Sequence, residues 1–460
     1  MWVAALHGRL AGYQWTNAGH RVGRWHVELD PDDLVIYSVV TMPELRGHGL
    51  AAAMTCHIID TLEPDRAFID CMEWNTSSRR FIRRAGFEQV TTVTDRPAGV
   101  ARRLPTPPVN CTLAAIETAE AWERAVATFA DHSYRQSWAW GAVSSARVKA
   151  RCERRALIRH DRELISVASV WVRQAPGLPG IAYVSGGPLV RRCGDDEVVQ
   201  RERLVLALRA LVSEYVLARR MILRVVPSPT DTAWREVEEE VFAAAGFVPT
   251  TRVTRPATIL VDLGMSAPQL RASFRQKWRN QLNRAEREPL TVRAGRDPGL
   301  LDEFVPLFDE LVARKGFDPG LPAAVFADVQ RQSSESSRFH IALAAIDGQT
   351  VAGQVTAVVG ETAVYLLGAS NELGRRHRAA YLLQWGAMTA ARESGCRWYD
   401  LGGIDRIRNP DGYHFKRGTG GLEISPAGPF EIRHAGVASR LTLASETVYL
   451  AARRLQTSRR

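Results

Sequence analysis

The residues best suited to chemistry in this chain lie near its C-terminus, in two glycine-rich segments. Residues 398–404 read Trp-Tyr-Asp-Leu-Gly-Gly-Ile, and residues 413–421 read Tyr-His-Phe-Lys-Arg-Gly-Thr-Gly-Gly. We interpret the first segment as a strand that runs into a glycine pair, and the second as a loop in which glycines let the backbone approach a ligand closely. Lys416 adds a positive charge suited to a phosphate or a developing oxyanion. An ordinary strand and turn of an α/β domain would give a similar pattern, so both interpretations stay open.

Composition limits the class of protein. A chain of 460 residues is too long for one core and indicates two to four domains. No stretch approaches 18 uninterrupted apolar residues, and the start lacks the order of a signal peptide, so we expect no membrane span. The six cysteines are scattered without a C-x-x-C pair, and the eleven histidines show no metal-ligand spacing. This pattern favours the reducing cytoplasm over a disulfide framework or a metal site.

The net charge of +10 and the pI of about 9.6 favour anionic partners such as RNA, nucleotides, phosphorylated lipids or CoA. A GC-rich genome would also enrich arginine, so clustering matters more than the total. One predicted helix carries Arg271, Arg275, Lys277 and Arg279, largely on one face. Such a stripe would neutralise several phosphates, or it could be a solvated surface.

Recurring segment ends indicate repeated α/β units. Residues 83–87 and 243–247 each end a predicted helix with glycine and then phenylalanine, and residues 392–396 have a similar position before the strand at 398. A proline-rich linker covers residues 95–108. We predict four segments: an N-terminal unit, two further units, and a basic C-terminal helix with a tail. Their bounds are 1–103, 110–250, 251–430 and 431–460.

The first unit contains a phosphate-binding pattern. A predicted strand at residues 35–40 leads into an R-G-x-G-x-A turn that opens an alanine-rich helix, where free amides and the helix dipole would hold a pyrophosphate. With the downstream asparagine, this order resembles the GNAT acyl-CoA transferases, and the resemblance implies acetyl-CoA as the cofactor of this unit. The cradle residues are Arg46, Gly47, Gly49, Ala51 and Asn75.

Two departures from the GNAT pattern argue against catalysis by the first unit. It spans about 100 residues and lacks the opening strand and helices that build the acceptor pocket in that family. Ile82 stands where members commonly carry a tyrosine that protonates the leaving thiolate. An active acyl-CoA transferase and a structural or regulatory remnant therefore both stay open.

Residues 110–430 resemble the Fem transferases, which move an amino acid from aminoacyl-tRNA to an amine, typically in the peptidoglycan stem peptide. The most specific matches are residues 399–403 and 415–416. The resemblance implies an α/β fold of tandem GNAT-like mixed-sheet units, two of which form a Fem-like core behind the smaller N-terminal GNAT-like unit.

The Fem resemblance also implies roles for individual residues. Lys416 would hold an anionic group or the tetrahedral oxygen, and Phe415 would fix the loop geometry. Tyr413 is a weaker candidate for moving a proton, and Asp400 would either orient the incoming ammonium or cap the strand-end loop. The substrate-binding candidates are Lys277, Arg279, Arg314, Tyr365, Gly402, Gly403 and Trp140.

The acceptor follows from one departure. Fem relatives often carry a lysine shortly after the tryptophan of their first motif, where it helps to hold a diphosphate, but here Gly141 follows Trp140 and the nearest lysine is Lys149. A small-molecule or peptide amine, in natural-product (antibiotic) synthesis or in the cell wall, is therefore expected. Peripheral membrane contact would follow only from a lipid-linked acceptor, and we expect no DNA partner.

The leading hypothesis is thus a cytoplasmic aminoacyl-tRNA-dependent transferase that forms amide bonds and needs neither a metal nor a cofactor. Alignment of an amine with an activated ester contributes about 7 kcal/mol or more, and one oxyanion donor contributes about 3 kcal/mol. The alternatives are an acyl-CoA N-acyltransferase that uses the first unit, and a non-catalytic protein that binds RNA or wall precursors.

Overall fold

The chain is divided into two units, Met1–Arg96 and Pro97–Arg460. The computed structural model describes residues 2–19, 22, 27, 29–71, 75–90, 108, 110–174, 177, 179–229, 232–253, 256–317, 319–434, 436 and 439–447. Except for residue 108, the linker predicted at 95–108 lies outside these ranges, as does the tail beyond 447. Within the described ranges, no helix has both the length and the apolar character needed to cross a bilayer.

The first unit is a four-stranded sheet in the order β1-β2-β3-β4, in which β3 and β4 are parallel. Leu34 and Ile36 pack against Ile58 in its small core. Its elements are β1 (Trp2–Leu6), β2 (Arg9–Ala18), β3 (Leu34–Thr41), α1 (Leu50–Leu62), β4 (Ala67–Ile69) and α2 (Thr76–Arg84).

The second unit contains two seven-stranded sheets, and we call the parts built on them the first and second halves. The first half comprises β5 (Cys111–Ala115), α3 (Ala119–Val126), α4 (Trp138–Arg147), β6 (Arg151–Arg159), β7 (Leu164–Arg173), β8 (Ile181–Ser185), α5 (Glu197–Leu211), β9 (Ile222–Val226), α6 (Thr232–Ala244) and β10 (Val248–Pro249).

The second half contains the two glycine-rich segments. It comprises β11 (Thr258–Asp262), α7 (Ala267–Ser273), α8 (Gln276–Ala285), β12 (Thr291–Gly295), α9 (Pro298–Lys315), α10 (Ala323–Gln332), β13 (His340–Ile346), β14 (Gln349–Val359), β15 (Thr362–Ser370), α11 (Glu372–Arg376), α12 (Ala379–Glu393), β16 (Trp398–Gly403), α13 (Pro410–Arg417) and β17 (Leu422–Ile424). Its sheet has the order β12-β13-β14-β15-β16-β11-β17.

The last strand, β18 (Phe430–Arg433), leaves the second half and inserts between β10 and β9 of the first sheet. Arg224 of β9 is 4 % exposed and donates to Glu431 at 2.6 Å and to Glu446 at 2.8 Å. Glu446 lies on a C-terminal helix that is described over residues 439–447, inside the helix predicted for 436–456. The boundary predicted at residue 430 coincides with the start of this strand.

One pair of parallel strands in the second half separates. β15 and β16 pair only over three residues, from Thr362 and Trp398 to Val364 and Asp400, although β15 continues to Ser370. In the first half, β8 and β9 are paired along their whole length. The second sheet therefore has an opening between its strand ends that the equivalent strands of the first sheet do not have.

Two predicted elements were wrong. Residues 413–417, predicted as a loop, belong to helix α13, because Asn409 accepts a hydrogen bond from the Gly412 amide at 3.1 Å and Pro410 fits the first helical position. The single basic helix predicted around residues 271–287 is divided into α7 and α8, because the backbone is extended at Phe274 and at Arg275.

Candidate functional site

Lys416 lies at the opening between β15 and β16. Its Nζ donates to the carbonyl oxygens of Gly403 at 2.8 Å and of Gly402 at 3.4 Å, and lies 5.6 Å from the centre of the Tyr365 ring. Burial lowers the pKa of Lys416 to about 8, while the nearby Asp400 carboxylate acts in the opposite direction. Near neutral pH the ammonium is therefore mostly charged, yet it is poorly solvated and available to a ligand oxygen.

The turn that presents these carbonyls is fixed by Asp400. The Asp400 carboxylate is buried and accepts hydrogen bonds from the Gly402 amide at 2.8 Å and from the Thr258 hydroxyl. Gly402 has φ +68°, and a Cβ there would lie 2.9 Å from the Tyr365 carbonyl oxygen. Glycine is therefore required at this position, and the structure places Asp400 inside the strand-end turn.

An aromatic cluster lies beside Lys416. The Phe415 ring packs 5.1 Å from Tyr381 and 6.0 Å from Trp278, which fixes one side of α13 against α12 and α8. Tyr413 is buried and donates its hydroxyl to Glu423 at 3.2 Å. Glu423 belongs to β17, so the Tyr413 hydroxyl is held by that strand.

The predicted substrate-binding residues divide into two groups. Tyr365, Gly402 and Gly403 meet at Lys416, as the contacts above show. Lys277 is exposed at the start of α8, and Arg314 is exposed near the end of α9. Both cations are open to solvent rather than part of the opening.

Two predicted substrate-binding residues have structural surroundings instead. Trp140 is 4 % exposed and packs against Tyr134 at 4.8 Å and Phe326 at 5.6 Å, so its ring is part of the core between the two halves rather than of a binding surface. Arg279 donates to the carbonyl oxygens of Ala272 at 2.6 Å and Phe274 at 2.7 Å, so its guanidinium closes the end of α7.

Sequence reasoning missed Thr258, Trp278 and Tyr381, which complete the surroundings of Lys416. Thr258 lies on β11, which is paired with β16, and its position could be found only from that pairing. Tyr381 and Trp278 are separated by about a hundred residues in the chain but are 5.1 Å apart. Aromatic residues on predicted helices are usually core residues, so they gave no distinct signal.

The cradle of the first unit has the backbone geometry that a pyrophosphate requires. Gly47 and Gly49 have φ of +85° and +80°, Gly49 is the N-cap of α1, and a Cβ at either glycine would meet no atom within 4 Å. The space above this turn is therefore open, and Ala51 lies in the first helical turn, where amides lack helical partners. These residues fit an anionic group.

The other two cradle residues are engaged. Arg46 donates its Nε to the Thr41 carbonyl oxygen at 3.2 Å. Asn75 caps α2 by accepting a hydrogen bond from the Ser78 amide at 3.1 Å. Their side chains therefore have roles within the unit that a cofactor would have to displace or share.

The equivalent turn before α12 is occupied by a side chain. Arg378 is the N-cap of α12 with φ +58°, so it stands where Gly49 stands before α1. Its guanidinium donates to Gln281 at 2.6 Å and to Glu288 at 3.3 Å. The open glycine cradle of the first unit is therefore absent at this turn of the second half.

Comparison with known proteins supports this description. Residues 1–87 match the model of the acetyltransferase (GNAT) family, and residues 272–417 match the model of an acetyltransferase (GNAT) domain. No curated protein matches the sequence. The crystal structure of FemX is similar with a TM-score of 0.61 and 18 % identity, and the alignment covers 73 % of this chain and 100 % of that chain.

Two further solved structures are less similar. A conserved protein of unknown function from Bacteroides thetaiotaomicron aligns with a TM-score of 0.45 and 10 % identity over 70 % of this chain and 98 % of that chain. L-PGS from Bacillus licheniformis aligns with a TM-score of 0.38 and 16 % identity over 64 % of this chain and 88 % of that chain. Of the three structures, FemX supports the fold assignment.

The chain is thus a tandem GNAT-fold protein. More particularly, its second unit has the Fem-like arrangement of two GNAT sheets, and the predicted α/β fold class and the Fem-like resemblance are confirmed. The matching models support a transferase of acyl or aminoacyl groups.

Proposed function

We propose that this protein transfers an amino acid from aminoacyl-tRNA to an amine and forms an amide bond. The observation that carries the proposal is the position of Lys416, whose poorly solvated ammonium lies at the opening between β15 and β16. In a tandem GNAT fold, separated parallel strands expose backbone groups that an acyl donor can meet. The proposed reaction requires no metal and no cofactor.

The proposed chemistry is an addition followed by an elimination. The neutral amine attacks the ester carbonyl carbon, and the carbonyl oxygen becomes an oxyanion toward which Lys416 Nζ redirects a hydrogen bond. The ester C–O bond then breaks, the ribose hydroxyl leaves with a proton, and the amine nitrogen loses a proton. A preorganised donor at the oxyanion contributes about 3 kcal/mol, and alignment of the two reactants contributes more.

Exposed cations near α13 would contact the RNA. The Arg275 amide donates to the Gly418 carbonyl oxygen at 2.9 Å, so the start of α8 adjoins the end of the helix that carries Lys416. Arg275 and Lys277 are both exposed there. Such side chains are suited to a phosphate backbone leading to the reacting ester.

The acceptor that we propose is a small-molecule or peptide amine, in a natural-product or cell-wall pathway. Its site would lie where an amine can reach the carbonyl held by Lys416. Because aminoacyl-tRNA is a cytoplasmic substrate, the protein would act in the cytoplasm.

The proposal is tested with purified protein, a set of aminoacyl-tRNAs and a panel of amine acceptors, with products identified by mass spectrometry. Product should form with intact aminoacyl-tRNA and vanish after the tRNA is digested by RNase before the reaction. Product that depends on acetyl-CoA and survives RNase would contradict the proposal. RNA binding without turnover across the panel would favour a non-catalytic binding protein.

The RNA surface has its own test. The double variant Arg275→Glu/Lys277→Glu should raise KM for aminoacyl-tRNA at least tenfold while KM for a 3′-aminoacyl-adenosine donor stays within twofold, because only the longer donor reaches the surface. Arg284→Glu, near the other end of α8, is the matched control. Equal effects on both donors would refute this surface.

The second candidate function is acyl-CoA-dependent N-acylation by the first unit. The observation that favours it is the open turn at Gly47 and Gly49, within the segment that matches the GNAT family model. Acetyl-CoA binding would be measured by calorimetry in the wild type and in Gly49→Trp, which should fill the turn. Binding that Gly49→Trp leaves unchanged would exclude this cradle as the cofactor site.

A further inference from the structure

A group of polar side chains is completely buried beneath α12. Gln354 and Thr356 lie on β14, Tyr399 on β16 and Gln384 on α12, and all four are at most 4 % exposed. Gln354 Nε2 donates to the Tyr399 hydroxyl at 3.1 Å and to the Thr356 hydroxyl at 3.2 Å. We call these four residues the Gln384 cluster.

Gln384 differs from the other members of the cluster. Its carboxamide faces the Tyr399 hydroxyl, yet among the described residues neither its Oε1 nor its Nε2 has a partner at hydrogen-bonding distance and angle. Leaving a buried polar group unpaired costs about 1–3 kcal/mol. A buried amide with both a donor and an acceptor vacant therefore indicates a water molecule or a ligand group.

The strand register places the Gln384 cluster next to Lys416. Thr356 is paired with Tyr365, and Tyr399 is paired with the residue two before Tyr365, so the side chains of all three share one face of the sheet. Lys416 Nζ lies 5.6 Å from the centre of the Tyr365 ring on this face. The cluster therefore lies behind the opening between β15 and β16.

Helix α12 connects the cluster to the aromatic residues of the site. Tyr381 precedes Gln384 by about one helical turn, so the two side chains project from the same side of α12. The Tyr381 ring packs against Phe415, which is adjacent to Lys416 in the chain. A group bound at Lys416 thus has Tyr365 and Tyr381 beside it and Gln384 behind them.

We propose that the Gln384 cluster binds the side chain of the amino acid being transferred, and that this side chain carries a hydroxyl. The inference rests on the proposed function. A hydroxyl can accept a hydrogen bond from Nε2 and donate one to Oε1, which matches both vacant positions of Gln384. An aliphatic side chain would leave both positions unpaired.

Charged side chains do not match the cluster. A carboxylate cannot donate to Oε1, and an ammonium cannot accept from Nε2. No member of the cluster carries a charge that would pair with either ion, so each would be buried without compensation. The serine and threonine side chains are therefore the class that this site would select.

The experiment compares short RNA donors charged with serine, threonine or alanine, because serine and alanine differ only in the hydroxyl. For the wild type, kcat/KM with serine or threonine should exceed that with alanine about 100-fold, as expected for a site built to bind a hydroxyl. Gln384→Leu should reduce this ratio at least tenfold. Gln330→Leu is the control, because Gln330 is also fully buried but donates to two backbone carbonyls.

Binding provides a second readout that does not depend on turnover. Non-hydrolysable 3′-serylamino- and 3′-alanylamino-adenosine would be titrated into the wild type and both variants by calorimetry. Preference for the seryl analogue should be lost in Gln384→Leu and retained in Gln330→Leu. The thermal stability of Gln384→Leu should equal or exceed that of the wild type, since the change removes an unpaired amide.

The outcomes separate the two proposals. Transfer from RNA without a preference for the hydroxyl, or a preference that Gln384→Leu leaves intact, would overturn the inference and leave the proposed function standing. No transfer with any charged RNA, together with no preference in analogue binding, would overturn both.

Discussion

The sharpest expectation concerns Lys416→Met, which keeps the length of the side chain and removes its charge. Burial lowers the pKa of Lys416 from 10.5 to about 8, which corresponds to about 3 kcal/mol against the charged form relative to water. The variant relieves this cost while removing the hydrogen bonds to Gly402 and Gly403. We therefore expect a folded protein with a melting temperature close to that of the wild type.

Catalysis should respond very differently from stability. Loss of one oxyanion donor lowers kcat about 100- to 1,000-fold. The assay is the initial rate of amide formation at saturating aminoacyl-tRNA, with product measured by mass spectrometry and folding by thermal denaturation. A well-folded Lys416→Met protein that retains more than a tenth of the wild-type rate would refute the assigned role.

The pH dependence tests the same role. The donor must be protonated, so the wild-type rate should fall as pH rises through about 8, the pKa of Lys416. Lys416→Arg retains a charge over this range, because the guanidinium pKa is above 12. Its high-pH limb should therefore move upward even where its maximal rate is lower. Identical high-pH limbs in both proteins would show that another group controls the decline.

Three further outcomes concern stability, each measured by urea denaturation. Arg224→Met should destabilise the fold by about 3–5 kcal/mol, because it leaves two carboxylates without their buried partner; a loss below about 1 kcal/mol would contradict this. Burial raises the pKa of Asp131 to about 6 from 3.8, so the unfolded chain ionises first and stability falls as pH rises from about 4 to 6. Asp131→Asn should therefore gain about 2 kcal/mol on the wild type over that range, and an unchanged difference would show that Asp131 does not titrate so. Gly402→Ala should cost about 2 kcal/mol through its left-handed backbone, whereas Gly386→Ala, at an open helical position, should be neutral or stabilising; equal effects would contradict the strain assigned to Gly402.

Elements with strong local signals were predicted correctly. The Asp347-Gly348 pair predicted a hairpin, and both residues have positive φ between β13 and β14. The helix predicted from Ala379 to Glu393 is α12. In these cases the residues that set the local backbone lie within the element, so the sequence was sufficient.

The errors arose where a local signal was overlooked or a distant contact decides the structure. Asn409 and Pro410 form a helix start that the glycines downstream obscured. The break at Arg275 is different, because the Arg275 amide bonds to the Gly418 carbonyl oxygen, more than 140 residues away. No helical periodicity could have revealed that contact.

The candidate site shows the same division. Lys416 and the glycine pair were identifiable from their residue types and from the Fem resemblance. The separation of β15 from β16, and the buried amide of Gln384, depend on register and packing across the sheet. Trp140 was misplaced because a tryptophan in a motif can serve packing as well as binding.

The insertion of β18 has a consequence for synthesis on the ribosome. β9 emerges about 200 residues before the strand that must pair with it, and Arg224 remains without its two carboxylates until Glu431 and Glu446 follow. During that interval the nascent chain exposes an open strand edge, which other chains could join. The first half is thus completed last, and a stop codon just before Phe430 would release a chain in which neither sheet edge nor buried charge is satisfied.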